Sequence, residues 1–177
     1  MALALLAAPA IAQNLSLGST FLKGVRERDG TTVQGLVDPP NPAVLNARDS
    51  GNGEGALHIL VRGRDLTWLS FLMAKGARVD LQSNDGTTPL MLAAQLGWVE
   101  GAEQLLARRA NPNLTNRNGE TPLILAVHRR DLQMVQLLRS QGADPNVTDS
   151  VAGMSALDYA RQDARAAAIV RALEARQ

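Results

Sequence analysis

His58 and His128 are the only two imidazoles in the chain, and no cysteine accompanies them. An imidazole can serve as a general base, activate a nucleophile or ligate a metal, but each task needs a second group held alongside. The two histidines occupy non-equivalent places in the sequence pattern, so nothing in their spacing pairs them. The lack of cysteine removes disulfides, thiolate metal sites and cysteine nucleophiles together. Asp144, Asp149, Asp158 and Asp163 crowd toward the C-terminus, yet each stands where a turn or a helix start is expected rather than at a metal-ligand spacing. Arg62-Gly63-Arg64 reads as a turn between helices, not as a glycine-rich phosphate cradle. No catalytic residue, cofactor site or metal ligand is therefore assigned. Asn14-Leu15-Ser16, Asn113-Leu114-Thr115 and Asn146-Val147-Thr148 match the N-glycosylation triplet, but the last two follow from turn chemistry.

The elements that would have to position such residues are written in a rhythm. "DGTTPLMLAAQLGW" (residues 85–98) returns as "NGETPLILAVHRRD" (118–131), 33 residues later. Gly86, Thr88, Pro89, Leu90 and Ala93 thereby match Gly119, Thr121, Pro122, Leu123 and Ala126, and the tails "KGARVDL", "RRANPNL" and "QGADPNV" keep the same step. The pattern extends backward with Ala56 in place of the proline and forward with Ala156 after a one-residue insertion. Fainter still, Arg28-Asp29 matches Arg64-Asp65 at a spacing of 36, the surplus falling in the proline-rich stretch 38–42, where insertion costs least. A fixed period over so many positions marks a stacked repeat protein.

Local physics explains the unit. Thr121 can accept a hydrogen bond from a free amide at a helix start, and Pro122 then occupies the first helical position, where its missing N–H does no harm. Leu123, Ala126 and Val127 fall on one face. Asp131 can cap a second helix whose apolar stripe is Met134, Val135, Leu137 and Leu138. Gly142 can close it in the left-handed region, and Asp144-Pro145-Asn146 continues as a turn. One such unit buries too little apolar surface to offset its chain entropy, so copies must stack.

The sequence resembles the ankyrin repeat family, whose unit carries Gly-x-Thr-Pro-Leu-x-x-Ala and ends in Gly-Ala-x-x-Asn; "GTTPLMLAA", "GETPLILAV", "GADPNV" and "RANPNL" carry the likeness. The resemblance runs from Leu17 to Gln177. It implies an all-α fold: a solenoid of stacked helix-turn-helix units with hairpin-like loops. The units fall at about 17–48 (a degraded N-terminal cap), 49–81, 82–114, 115–147 and 148–177 (the C-terminal cap), making residues 13–177 one domain. In the last unit Glu174 stands where Met73 and Leu106 stand earlier, as a solvent-facing end requires.

The family likeness also implies a non-enzymatic module that binds a partner protein through the concave side of the solenoid. Mapped onto this chain, the loop tips of that side are Asn52 and Glu54, then Asn84, Asp85 and Thr87, then Arg117, Asn118 and Glu120. Its exposed helix positions are Arg62, Gln95, Leu96, His128, Arg129, Gln162 and Asp163. The partner-binding set rests on Asn84, Asp85, Thr87, Gln95, Leu96, Arg117, Asn118, Glu120, His128 and Arg129. Arg62, Arg117, His128, Arg129 and Arg130 tilt the middle of this side positive, which favours a partner patch rich in Asp or Glu. The alternative function is an effector or inhibitor that blocks an enzyme or its assembly. His58 is expected to be structural, bonded to backbone, and His128 to be exposed.

With 18 basic against 17 acidic residues the net charge is +1, so bulk charge gives no reason to expect nucleic acid. The remaining expectations are a monomer without membrane insertion. Met1 to Ala12 is apolar and too short to span a bilayer, and Ala10-Ile11-Ala12 before Gln13 has the form of a signal-peptide cleavage site. A periplasmic or secreted protein follows; because no Lys or Arg precedes the apolar run, the cytoplasm is the other compartment considered. Two residues look awkward. Gly101 stands inside a predicted helix, so Gly101→Ala is expected to stabilise if a methyl fits. Arg109 replaces the glycine seen as Gly76 and Gly142, so that turn should be strained. Trp98, at a helix start, is read as packing.

Overall fold

The computed structural model describes the backbone of residues 7–175 and the side chains of residues 17–175. Its helices run, in order, α1 Ala7–Glu27, α2 Gly30–Val37, α3 Pro42–Leu45, α4 Ala56–Arg62, α5 Leu66–Ala74, α6 Pro89–Leu96, α7 Val99–Ala107, α8 Pro122–His128, α9 Leu132–Ser140, α10 Ala156–Gln162 and α11 Ala167–Glu174. Among the described residues there is no strand, only an isolated antiparallel bridge between Thr148 and Ser155. From α4 onward the helices come in antiparallel pairs, and each first helix packs on the first helix of the next unit. Toward the C-terminus α9 and α11 pack more closely than α8 and α10; in the middle of the stack α4, α6 and α8 pack more closely on one another than α5, α7 and α9 do. Small residues permit that approach: Ala93, Ala126 and Ala160 are completely buried along the seam.

The predicted helix signals act as written. The hydroxyls of Thr88, Thr121 and Ser155 each accept the amide three residues on, at 3.2 Å. Pro89 and Pro122 follow directly at the first helical position. Asp65 and Asp131 cap α5 and α9, accepting the amides of Trp68 and Met134 at 3.0 Å. One continuous core of Leu, Val, Ile and Ala side chains runs the length of the stack. It fades toward the C-terminus sooner than expected. Met73 and Leu106 are buried, but the corresponding place in α9 holds Arg139, which donates to the carbonyls of Ala143 (2.6 Å) and Ala175 (3.2 Å). Glu174 beyond it is exposed and pairs with Arg161 at 2.7 Å.

The N-terminal unit keeps the rhythm but changes the parts. Asp29 caps α2 as Asp65 caps α5, accepting Thr32 N–H at 3.0 Å. The proline-rich insertion leads into the short helix α3, whose Val44 and Leu45 are buried in a region packed against α1. Helix α1 begins at Ala7, upstream of Leu17, and runs without a break through Ala12 and Gln13. The first six residues of the expected leader lie outside the described residues.

The expectation for Gly101 is overturned. A methyl there would sit 2.0 Å from Trp98 Cε3 and 2.3 Å from Cζ3, far inside contact distance. In α5 and α9 the third helical residue supplies bulk, as Trp68 and Met134, and an aspartate caps the helix. In α7 the two roles trade places: Trp98, 5% exposed, occupies the cap position and folds its indole over the bare backbone of Gly101. The helix gives up its side-chain cap in the exchange, since Trp98 makes no capping hydrogen bond.

The turns between paired helices carry a second regularity. Arg28, Arg64, Gly97 and Arg130 occupy equivalent places, and all four are left-handed, with φ of 61, 49, 66 and 57°. A non-glycine residue there costs of order 1 kcal/mol or more. The arginines have compensating contacts with the following unit. Arg28 Nε donates to Asp65 Oδ2 at 2.6 Å and Arg130 pairs with Asp163; Arg64, for which Trp98 stands at the aspartate's position in the next unit, donates to the Leu96 carbonyl at 2.7 Å. Where Gly97 supplies no side chain, the guanidinium of Arg129 lies over it and donates to the Gln95 carbonyl at 3.1 Å. Arg109 adopts φ +64° at the end of α7, the strained closure expected there.

Candidate functional site

The loop tips are built as a stitched row. In each unit one short polar residue opens the loop: Asp49, Ser83, Asn116 and Asp149. Their amides close the loop by donating across it to the carbonyls of Glu54, Thr87, Glu120 and Met154 at 2.8–3.1 Å. The following unit then reaches across. Asn84 N–H donates to Asn52 O, Arg117 N–H to Asp85 O and Ser150 N–H to Asn118 O, each at 2.8 Å. These bonds fix the tips relative to one another, so a ligand meets a surface whose backbone is already ordered.

His58 anchors this row from below. It is fully buried, its Nδ1 accepts Gly55 N–H at 3.2 Å, and its Nε2 lies 2.9 Å from the Thr87 carbonyl. That pattern requires the neutral ring with the proton on Nε2, so the expected structural role holds. Burial pushes its pKa below the usual 6.5. In the unfolded chain the ring protonates first as pH falls, so the stability from the neutral ring is full above pH 6.5 and lost as pH falls toward the folded value. Stability measured by urea titration is expected to fall as pH drops below 6.5, beginning above the range where ordinary carboxylates titrate. His58→Asn should be less stable at neutral pH and should lose that limb; an unchanged limb would assign it elsewhere.

Most of the predicted tip side chains are spent on this scaffold. Asn84 accepts Arg48 Nη2 on its Oδ1 at 3.1 Å and donates Nδ2 to Gly51 O at 3.1 Å. Asp85 accepts Ser83 Oγ and Thr87 N–H, which hold its carboxyl below the usual carboxylate range against the opposing effect of burial. The Thr87 carbonyl serves His58 and Ser83 together. Glu120 takes the side-chain amide of Asn116 at 2.8 Å and, at 3.5 Å, that of Asn118. Of the helix positions, Gln95 is exposed and Leu96 half-buried.

The expected positive tilt is narrower than the sequence suggests. Glu54, expected at an exposed tip, is buried and takes the guanidinium of Arg62 in an ion pair. Arg130 is paired with Asp163, and exposed His128 has Glu120 at 4.0 Å. Arg117 and Arg129 are exposed and form no ion pair among the described residues. Arg62 and Arg130 drop out because their partners, 8 and 33 residues away, cannot be read from their own neighbourhoods.

Three features escaped the sequence reading. Tyr159, the single tyrosine, packs edge-on to His128 with ring centroids 4.5 Å apart and donates its hydroxyl to Asp149. Asp149 also accepts the amides of Val151, Ala152 and Gly153 at 2.7–3.0 Å. The hydroxyl of Tyr159, foremost among these contacts, lowers the Asp149 pKa, and the carboxylate in turn raises that of Tyr159, the opposite of what a phenolic nucleophile needs. The third feature is a cleft of about 490 Å³ between neighbouring loops, lined by Arg48 and Arg117 together with Gln82, Asn84, Thr115 and Asn116. Arg48 precedes its loop-opening residue and Arg117 follows its own, so the repeat period does not bring the two together.

No group of His and carboxylates that could hold a metal ion exists among the described residues, and none of the side chains above forms a nucleophile–base pair. No helix among them is long and apolar enough to cross a membrane. Asn113, one of the triplet asparagines, uses its side chain to join units, donating to Gly142 O at 3.0 Å and accepting Asp144 N–H at 2.8 Å.

Comparison with known sequences agrees with the geometry. A family model described as "Ankyrin repeats (3 copies)" matches residues 23–116 and 99–175. A Danio rerio protein titled "Putative palmitoyltransferase ZDHHC13" is 49% identical over 45 residues, which is 25% of this chain. The match covers 7% of that protein's length.

Proposed function

Since the chain belongs to the ankyrin repeat family, whose repeats generally mediate protein–protein interaction and are generally not catalytic, we propose that it binds one partner protein across its concave face. The observation that carries this reading is the row of 2.8 Å tip-to-tip backbone hydrogen bonds, which presents Asn84, Asp85, Arg117 and Asn118 on a preorganised edge. Arg117 and Arg129, exposed without ion pairs, supply the charge, and an acidic patch on the partner complements them. The experiment is capture from the native source by the immobilised full chain, followed by titration of the purified partner. Arg129→Glu and Arg117→Glu should each weaken binding about tenfold or more at low salt, the difference from wild type narrowing as salt rises. Undiminished binding by both variants overturns this face as the contact. The same surface would serve an inhibitor of an enzyme or of its assembly; co-expression of chain and partner, scored for toxicity or its rescue, separates inhibitor from scaffold.

The protein acts as a monomer in this proposal, in the periplasm or outside the cell. The small-x-small stretch Ala10-Ile11-Ala12 supports export, and the check is whether the mature protein begins at Gln13.

A further inference from the structure

We infer that the cleft between Arg48 and Arg117 is a docking slot for acidic side chains, Asp or Glu, of an extended peptide segment. This rests on the partner-binding reading above and narrows its acidic contact to one slot, which adds Arg48 to the Asn84 and Arg117 of that face. The slot's lining contains two guanidinium groups and no carboxylate. Its amide residues are already engaged. Gln82 Nε2 donates to the carbonyls of Gly86 (3.0 Å) and Thr115 (3.1 Å). Asn84 is held by Arg48 and Gly51, while Asn116 donates to Glu120 and accepts the amides of Asn118 and Glu120 at 3.0 Å. A fixed polar wall of this kind offers an incoming ligand few free donors, so selectivity falls to the arginines.

Those two are placed differently. Arg48 is tethered, Nε to Gly53 O and Nη2 to Asn84 Oδ1, both at 3.1 Å, which leaves Nη1 without a hydrogen bond among the described residues. Arg117 is exposed and its guanidinium has no hydrogen-bond or ion-pair partner among the described residues. One anchored and one unengaged guanidinium across an open slot suit a planar carboxylate, which can take paired N–H donors. A volume of about 490 Å³ exceeds what one carboxylate fills, so it takes a stretch of peptide around the acidic side chain. Asp49 and Asp85, the loop carboxylates adjacent in sequence to the lining, are engaged elsewhere, Asp49 by Arg26 and Gly51 N–H and Asp85 by Ser83 and Thr87, and neither is part of the wall.

The test uses the full chain and a capped, fluorescently labelled hexaglutamate peptide at low ionic strength, followed by anisotropy and by amide chemical shifts. Saturable binding is expected, with shifts concentrated at Thr115, Asn116 and Arg117. Arg117→Gln, which breaks no contact within the fold, should weaken the peptide severalfold, and Arg48→Gln with Arg117→Gln about tenfold or more. Arg165→Gln, exposed on the last unit, should leave affinity unchanged. Equal affinity for the wild type and the double variant overturns the inference, as does shift mapping to another face. Displacement by inorganic phosphate at matched charge also overturns it, since the slot is then a general anion or nucleic-acid contact. Retention of the natural partner by the Arg48→Gln, Arg117→Gln variant, when Arg129→Glu loses it, removes the slot and leaves the concave-face reading standing. Loss with neither set removes both.

Discussion

Replacing Gly101 with alanine is expected to cost about 3 kcal/mol, although alanine is the better helix former. The methyl would have to share space with Trp98 Cε3, 2.0 Å from its position, and the indole is 5% exposed with little room to retreat. Circular dichroism melting should show a fall of roughly 6–12 °C for a chain of this size. The diagnostic comparison is the double variant. Trp98→Ala alone opens a cavity and should cost about 3–5 kcal/mol. In that background Gly101→Ala meets no ring, and helix propensity should return about 1 kcal/mol. A reversal of sign between the two backgrounds is the signature of this packing. A single Gly101→Ala variant melting at or above wild type would contradict it.

The second large effect is expected at Asp149. Its Oδ1 receives the amides of Val151, Ala152 and Gly153, and its other oxygen receives the Tyr159 hydroxyl. Alanine leaves three loop amides without their acceptor, and the loss should be about 2–4 kcal/mol. Asp149→Asn keeps an acceptor oxygen and should cost less, while Tyr159→Phe removes a single bond and should cost about 1 kcal/mol. The hydrogen bond from Tyr159, followed by those from the loop amides, holds the carboxyl below its usual 3.8. A depressed folded value means the contribution is full above pH 3.8 and disappears as pH falls through the folded pKa. Hydrogen exchange at residues 151–153 should accelerate in Asp149→Ala at neutral pH. Protection equal to wild type would show that the loop is held by something else.

The fold was legible because its signals are local. Thr121 with Pro122, Asp131 and Gly142 each act within a few residues of themselves, and their 33-residue recurrence announces the stack. Gly101 was misread because its reason is Trp98, three positions away and in a role that the neighbouring units assign to aspartate. The site was legible in outline but not in charge. Glu54 reaches Arg62 along the length of α4, and Asp163 reaches Arg130 across a whole unit, so exposure and pairing depend on side-chain directions that periodicity does not encode. Arg48 escaped for the same reason: it meets the loop of the next unit, at Asn84, 36 residues on.

The interrupted arginine–aspartate pairing bears on how the protein can be shortened. Excising residues 82–114, one 33-residue period, would splice Arg64 into register with Asp131. The cross-unit bond that Arg28 makes to Asp65 and Arg130 makes to Asp163 would then have its missing counterpart. The cassette carrying Gly97 and Trp98 is thus the one whose removal joins two matching ends, whereas its own edges match only each other's absences.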